Sequence, residues 1–218
     1  MSDPALVGVL EITLRTLKVS LSALSVAVCL GLPLGLWLGS RHFAGRRLLL
    51  SLVNAGMGAP PVVVGLLVAL LLWRNHPLGS LGLMYTQGGM VLAQSIIALP
   101  LIIAISAAAI AALDETWSLQ VQTLGIAGPY RLLLLLRELR TGLLSAVIAG
   151  LGSILSEVGA VMMVGGNIQG ETRVLTTAIL MHTQMGQFET AVGLATVLLG
   201  LMLLLSALLT LIQHRARA

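Results

Sequence analysis

Charge is what this chain has least of. Asp, Glu, Lys and Arg make up 9% of its 218 residues, against roughly 25% in a soluble domain, which excludes a soluble globular protein. Aromatic residues are 3% and no basic run exists outside short turns, so neither the stacking platform nor the basic stripe of a nucleic-acid binder is present. The single cysteine, Cys29, lies inside an apolar run; no intrachain disulfide and no cysteine metal cluster can form. Four histidines (His42, His76, His182, His214) are scattered over loops and a tail, with no spacing that suits a metal site. No Ser-His-Asp or paired-carboxylate arrangement stands out, so no catalysis is implied. The phosphate loop Gly-x-x-x-x-Gly-Lys-Ser/Thr is missing, which leaves any ATP to a partner. The N-terminus lacks a basic stretch directly before a short apolar core, so the first span is expected to stay in the membrane rather than be cleaved.

Apolar residues are abundant: 57% of the chain is hydrophobic and the mean hydropathy is +1.02. The runs are long and continuous, not the short alternating segments of a membrane barrel. At about 20 residues per helical span, five or six fit with their loops. The expectation is a single domain over residues 1–218, an all-α polytopic membrane protein with about five transmembrane helices. The expected spans are 19–38, 48–73, 90–113, 141–164 and 191–212.

Three features stand out against this apolar background. The first is Pro60-Pro61 inside the second span. Two prolines remove two backbone donors and push the preceding residue out of the helical region. A plain kinked span and an unwound turn facing a pore both account for it, the latter because broken backbone at membrane depth must be buried in protein or line a cavity. The second is Glu157, the sole carboxylate within a span, followed by Gly159. An intramembrane carboxylate faces protein or water; a packing or polar-network role is favoured over direct gating. The third is the amphipathic segment 171–190, too polar to span and expected to lie at the outer interface or dip into the protein. In and beside it, Asn167, Thr176 and Thr177 offer neutral donors that solvate an anion without trapping it; helix capping is the commoner use of such residues.

Between two apolar runs lies one long polar interval, 114–140, holding three of the eight acidic and three of the twelve basic residues. With five spans and the N-terminus outside, eight arginines fall on inner segments and four basic residues on outer ones. The positive-inside rule then places the N-terminus outside, the C-terminus inside and the 114–140 interval in the cytoplasm. It is the natural docking element for a cytoplasmic partner.

This interval is similar to the coupling loop of bacterial ABC-importer permeases. The register Leu119-Gln120-Val121-Gln122-Thr123-Leu124-Gly125 keeps the Thr-Leu-Gly core, with Leu-Gln-Val where those loops have Glu-Ala-Ala and Arg137-Glu138 at the Leu-Pro position. Ala59-Pro60-Pro61-Val62-Val63-Val64-Gly65 resembles a stretch of the molybdate-type oxyanion permeases, and Ser156–Ile168 with Thr172–Ile179 resembles the tungstate type. The resemblance runs from about residue 10 to 212. It implies a type I ABC-importer permease fold and a translocation pathway for an oxyanion, tungstate above molybdate or sulfate. It also implies a homodimer in membrane lipid, a cytoplasmic ABC ATPase that holds the ATP and Mg, and an extracytoplasmic solute-binding protein, with no cofactor in this chain and no nucleic acid. The residues expected to couple to the ATPase are Gln122, Thr123, Leu124, Gly125, Ile126, Ala127 and Gly128; those expected at the pathway or its gate are Pro60, Pro61, Glu157, Gly159, Asn167, Thr176 and Thr177. A self-contained secondary transporter with Glu157 as coupling group is the alternative of another class, but internal repeats, frequent in such transporters, are absent.

Overall fold

Continuous apolar runs leave the backbone no polar partner but itself, and helices are the way a single segment satisfies that demand. The computed structural model describes residues 4–113, 119–121, 123–126 and 128–217, and among them no strand occurs. Eight α-helices are described: α1 Pro4–Ser40, α2 Arg46–Met57, α3 Pro61–Leu72, α4 Gln87–Ala111, α5 Pro129–Ser156, α6 Gly159–Gly165, α7 Leu175–Gln184 and α8 Phe188–Arg217. Three are long and apolar enough to cross a membrane alone, within α1, α4 and α8. The pairs α2–α3 and α5–α6 each amount to one more span, bent by 101° and 60° at a short break.

Helix α4 is the centre. Met90, Gln94, Ala98, Ile102 and Ser106 recur every four residues and are all buried, which gives one inward stripe along the helix. Helices α1, α2, α3, α5 and α6 all pack against it. Lipid is as apolar as leucine, so close packing and hydrogen bonds hold these helices together rather than exclusion of water. The α1–α4 seam shows how. Gly31, Gly35 and Gly39 line up at four-residue spacing, and a Cβ on them would collide with Ile102, Ser106 and the Ala107 carbonyl respectively. Ser106 donates its hydroxyl to the Ile102 carbonyl of its own helix, at 2.6 Å, so it sits in the seam without an unmet polar group. Helix α8 is peripheral; only 6% of its most apolar window is buried.

Three boundaries differ from expectation. The span expected at 141–164 belongs to a helix that starts twelve residues earlier, at Pro129, within the interval 114–140 expected as a loop. The span expected at 19–38 lies inside a helix that starts fifteen residues earlier, at Pro4. Nothing in the stretch from Pro4 to Lys18 breaks a helix, and the segment apolar enough to cross a membrane begins at Val7, before Arg15 and Lys18. The segment expected over 171–190 folds as a loop and then α7 only from Leu175. Its first turn is buried on all sides, Leu175, Thr176, Thr177 and Ala178 alike, so the alternation of apolar and polar residues does not separate a protein face from a water face there.

The glycine stripe makes a prediction. Gly35→Val should lower stability in detergent by about 1–3 kcal/mol, the usual range for overpacking. Gly200→Ala on α8, where a Cβ meets nothing within 4 Å, should leave it unchanged. Thermal unfolding followed by size-exclusion chromatography distinguishes them; equal midpoints would refute close α1–α4 contact.

Candidate functional site

The two broken spans meet. The first break, Gly58 to Pro60, follows from proline: neither Pro60 nor Pro61 has an N–H to donate, and Pro60 takes an extended conformation with ψ 121°. Helix α3 restarts with Pro61 in its first turn, where a missing N–H costs nothing, and the Pro60 carbonyl accepts from Val63 and Val64 at 2.9 and 3.2 Å. The second break, Glu157 to Val158, contains no proline. Side chains close it from both sides. Gln94 of α4 donates its amide to the Ile154 carbonyl at 3.1 Å, satisfying the end of α5. The Glu157 carboxylate accepts from the Ala160 N–H at 2.8 Å, satisfying the start of α6, where the helix dipole also favours negative charge. Glu157 is 6% exposed.

Beyond the breaks, α3 and α6 lie against each other with almost no side chain between them. A Cβ on Gly65 would strike Ala160, and one on Gly159 would come within 2.6 Å of Val62. A cavity of about 460 Å³ opens at the first break, lined by Gly58, Pro60, Pro61 and Val64 with Pro100 of α4 and Ser153 of α5. Of the residues singled out in the sequence, Pro60, Pro61, Glu157 and Gly159 are thus brought to one junction. Asn167, Thr176 and Thr177 are not; they belong to the connection between α6 and α7 and to the first turn of α7. Thr177 commits its hydroxyl there, accepting from the Val174 N–H and donating to the Val174 carbonyl, both at 3.1 Å. Thr176 is 7% exposed. Asn167 stands at φ 53°, and its buried side-chain oxygen has no partner among the described residues.

The polar interval carries a short helical turn from Leu119. Leu124 N–H bonds to the Gln120 carbonyl at 3.0 Å and Ile126 N–H to the Val121 carbonyl at 3.2 Å. Gly125 sits between them at φ +64°, and a Cβ there would meet nothing. This is a left-handed helix terminator: the glycine answers the backbone conformation, not a close approach within the chain. Gly128, at φ +65°, leads into Pro129 and α5. Thr123 bonds to the Leu119 carbonyl at 3.0 Å. Val121 is buried, while Leu119, Leu124 and Tyr130 are 60%, 73% and 72% exposed, an apolar set facing outward from the loop. Gln122 and Ala127 lie outside the described residues.

Gln94 belongs to this junction although the sequence pattern alone does not single it out. A signal for it exists: it is the sole amide side chain in the apolar run 90–113, and a polar group at membrane depth needs a named partner.

Comparison with known proteins follows the same outline. Residues 31–218 match the family described as binding-protein-dependent transport system inner membrane component. A probable anion ABC transporter permease protein of Haloferax volcanii is 38% identical over 213 residues, covering 95% of this chain and 92% of its own length. The tungstate uptake system permease protein TupB of Peptoclostridium acidaminophilum is 36% identical over 200 residues, 90% of this chain and 86% of its own. TupB of Campylobacter jejuni is 34% identical over 176 residues, 81% and 72%. Sulfate and molybdenum transport permeases also match, at 30% and 27% identity.

The Glu157 cap is testable. Glu157→Gln keeps an oxygen to accept from Ala160 and should retain folded yield; Glu157→Leu removes it and leaves a buried N–H unpaired, at about 1–3 kcal/mol. Equal thermal stability of the two purified variants would show that the hydrogen bond does not hold the break.

Proposed function

The chain belongs to the binding-protein-dependent transport system inner membrane components; it is a multi-pass permease subunit of an ABC importer, and on that footing we propose that its cargo is tungstate. The observation that carries the proposal is the pair of TupB relatives, each matched over most of its length at 34–36% identity, above the sulfate and molybdenum permeases. All three cargoes are tetrahedral dianions, so the chemistry of the pathway is shared and the binding protein sets much of the choice.

In this reading two copies enclose the pathway, and the paired breaks form its moving part. Two observations support that placement: α3 and α6 pack backbone to backbone through Gly65 and Gly159, so they travel together, and the cavity at Pro60 and Pro61 lies beside them. Glu157 serves as a cap rather than a ligand; a carboxylate repels a dianion. Ser153 supplies a hydroxyl to the cavity wall. Asn167, Thr176 and Thr177 belong to the outer entrance. The N-terminus is outside and the C-terminus inside, as the arginine distribution favours. In the cytoplasm, Thr123 to Gly128 with exposed Leu119, Leu124 and Tyr130 seats an ATPase subunit, which holds the ATP and Mg that this chain has no phosphate loop to bind.

The deciding experiment is reconstitution with the ATPase and binding protein in proteoliposomes and measurement of ATP-dependent tungstate uptake, with molybdate and sulfate as competitors. Uptake blocked by excess tungstate at a concentration where the other two are inert is expected; preferential block by molybdate or sulfate would reassign the cargo. In the same system Gly125→Val forces a β-branched residue into the left-handed region, at a cost of about 1–2 kcal/mol to the turn. It should cut uptake severalfold more than it cuts expression. Unchanged uptake would remove the docking role of this turn.

A further inference from the structure

Helix α1 is 37 residues long, about 55 Å at 1.5 Å per residue, and its first part precedes the residues that the family match covers, which begin at 31. That part is tied into the fold. Arg15 donates to two carbonyls of the α6–α7 connection, Arg173 at 3.0 Å and Gly170 at 2.8 Å. Thr16, 3% exposed, accepts from the Leu175 N–H at 2.9 Å while donating to the Ile12 carbonyl at 2.7 Å. These contacts span 155 to 159 positions of sequence.

The connection they hold, residues 166–174, is fixed from other directions as well. Thr172 bonds to the Gly165 carbonyl at 2.6 Å and accepts from Ile168 N–H at 2.9 Å. The Ile168 carbonyl collects the N–H groups of Glu171, Thr172 and Arg173. Gln87, at the start of α4, donates to the Glu171 carbonyl at 2.9 Å. Held this way, the segment turns a continuous face outward, Ile168 to Glu171, all exposed. Gln169 and Glu171 suit water and protein, not lipid. The face lies at the same end as the start of α1, the outer end in the orientation proposed above.

We propose that Arg15 and Thr16 are positioning residues for docking of the extracytoplasmic binding protein, holding 168–171 in the shape on which the loaded protein seats. The inference rests on the permease reading and its orientation. A segment ordered before contact loses little further conformational freedom at contact. Arginine suits the role because one planar guanidinium reaches two carbonyls at once, which a lysine ammonium does not reproduce. Charge-assisted bonds to carbonyls are the stronger kind. The occupant follows from the family, whose transport depends on a binding protein that must reach the outer face.

The test uses the complete importer in nanodiscs, titrated with the tungstate-binding protein of the same cell, loaded with tungstate, molybdate or sulfate in separate arms, with ATP hydrolysis as readout. Arg15→Ala and Thr16→Val should leave hydrolysis without binding protein unchanged and raise the half-maximal binding-protein concentration about tenfold. Thr16→Ser, which keeps the acceptor, should behave as the unmutated protein. Unchanged half-maximal concentrations in both variants would overturn the inference. If Arg15→Ala does not assemble, the Thr16 pair decides, together with a benzophenone photo-cross-linker at position 169. Labelling of the binding protein supports the assignment; labelling of a second permease copy alone overturns it. An unmutated importer that no loaded binding protein stimulates, in any arm, overturns instead the reading on which the inference rests.

Discussion

Within a bilayer no water stands ready to replace a lost backbone hydrogen bond, so each interruption of a spanning helix must be closed by the protein itself. Both interruptions here are closed, by different means. At Pro60-Pro61 the missing donors were never present, and the restarted helix tolerates their absence in its first turn. At Glu157-Val158 two side chains do the closing: Gln94 at the end of α5 and Glu157 at the start of α6. Once closed, the second halves of both spans are free to lie at an angle to the first halves, and Gly65 and Gly159 let them lie against each other. The junction and its cavity depend on that solution.

The two ends of the molecule are built differently. One end is densely bonded: Arg15, Thr16, Gln87, Thr172 and Thr177 all commit side-chain groups to the backbone of a single connection and the helix start that follows. At the other end, the segment from Leu119 is held by its own short turn and presents Leu119 and Leu124 outward, with Tyr130 exposed on the first turn of α5. In the proposed orientation, a preordered surface outside and an apolar one inside suit the two proposed partners, a soluble protein that must seat in one orientation and an ATPase that must grip while it moves. Helix α4 joins the two ends as the element that most of the others touch.

Part of the site is legible in the order of residues alone. Pro60 and Pro61 announce a break because proline chemistry acts locally, and Glu157 announces a partner because an intramembrane carboxylate needs one. Gly125 is legible only in part: a turn glycine and a contact glycine look alike in sequence, and φ +64° over open space selects the turn. The identity of the Glu157 partner is out of reach of sequence, since Ala160 N–H is exposed for capping only because the helix breaks there without a proline to mark it. The early start of α1 is hidden for a related reason, because Arg15 and Lys18 interrupt the apolar run without breaking the helix.

The sequence by itself determined the class, the number of apolar segments, the place of one break and the charge asymmetry on which the proposed orientation rests, because each reflects how a single segment partitions between lipid and water. Only the tertiary structure decided which breaks meet, which glycines are contacts, and that Arg15 and Thr16 serve a loop more than 150 residues away. Those are properties of pairs, set by helix packing and by where unpaired backbone groups end up, and no local pattern encodes them.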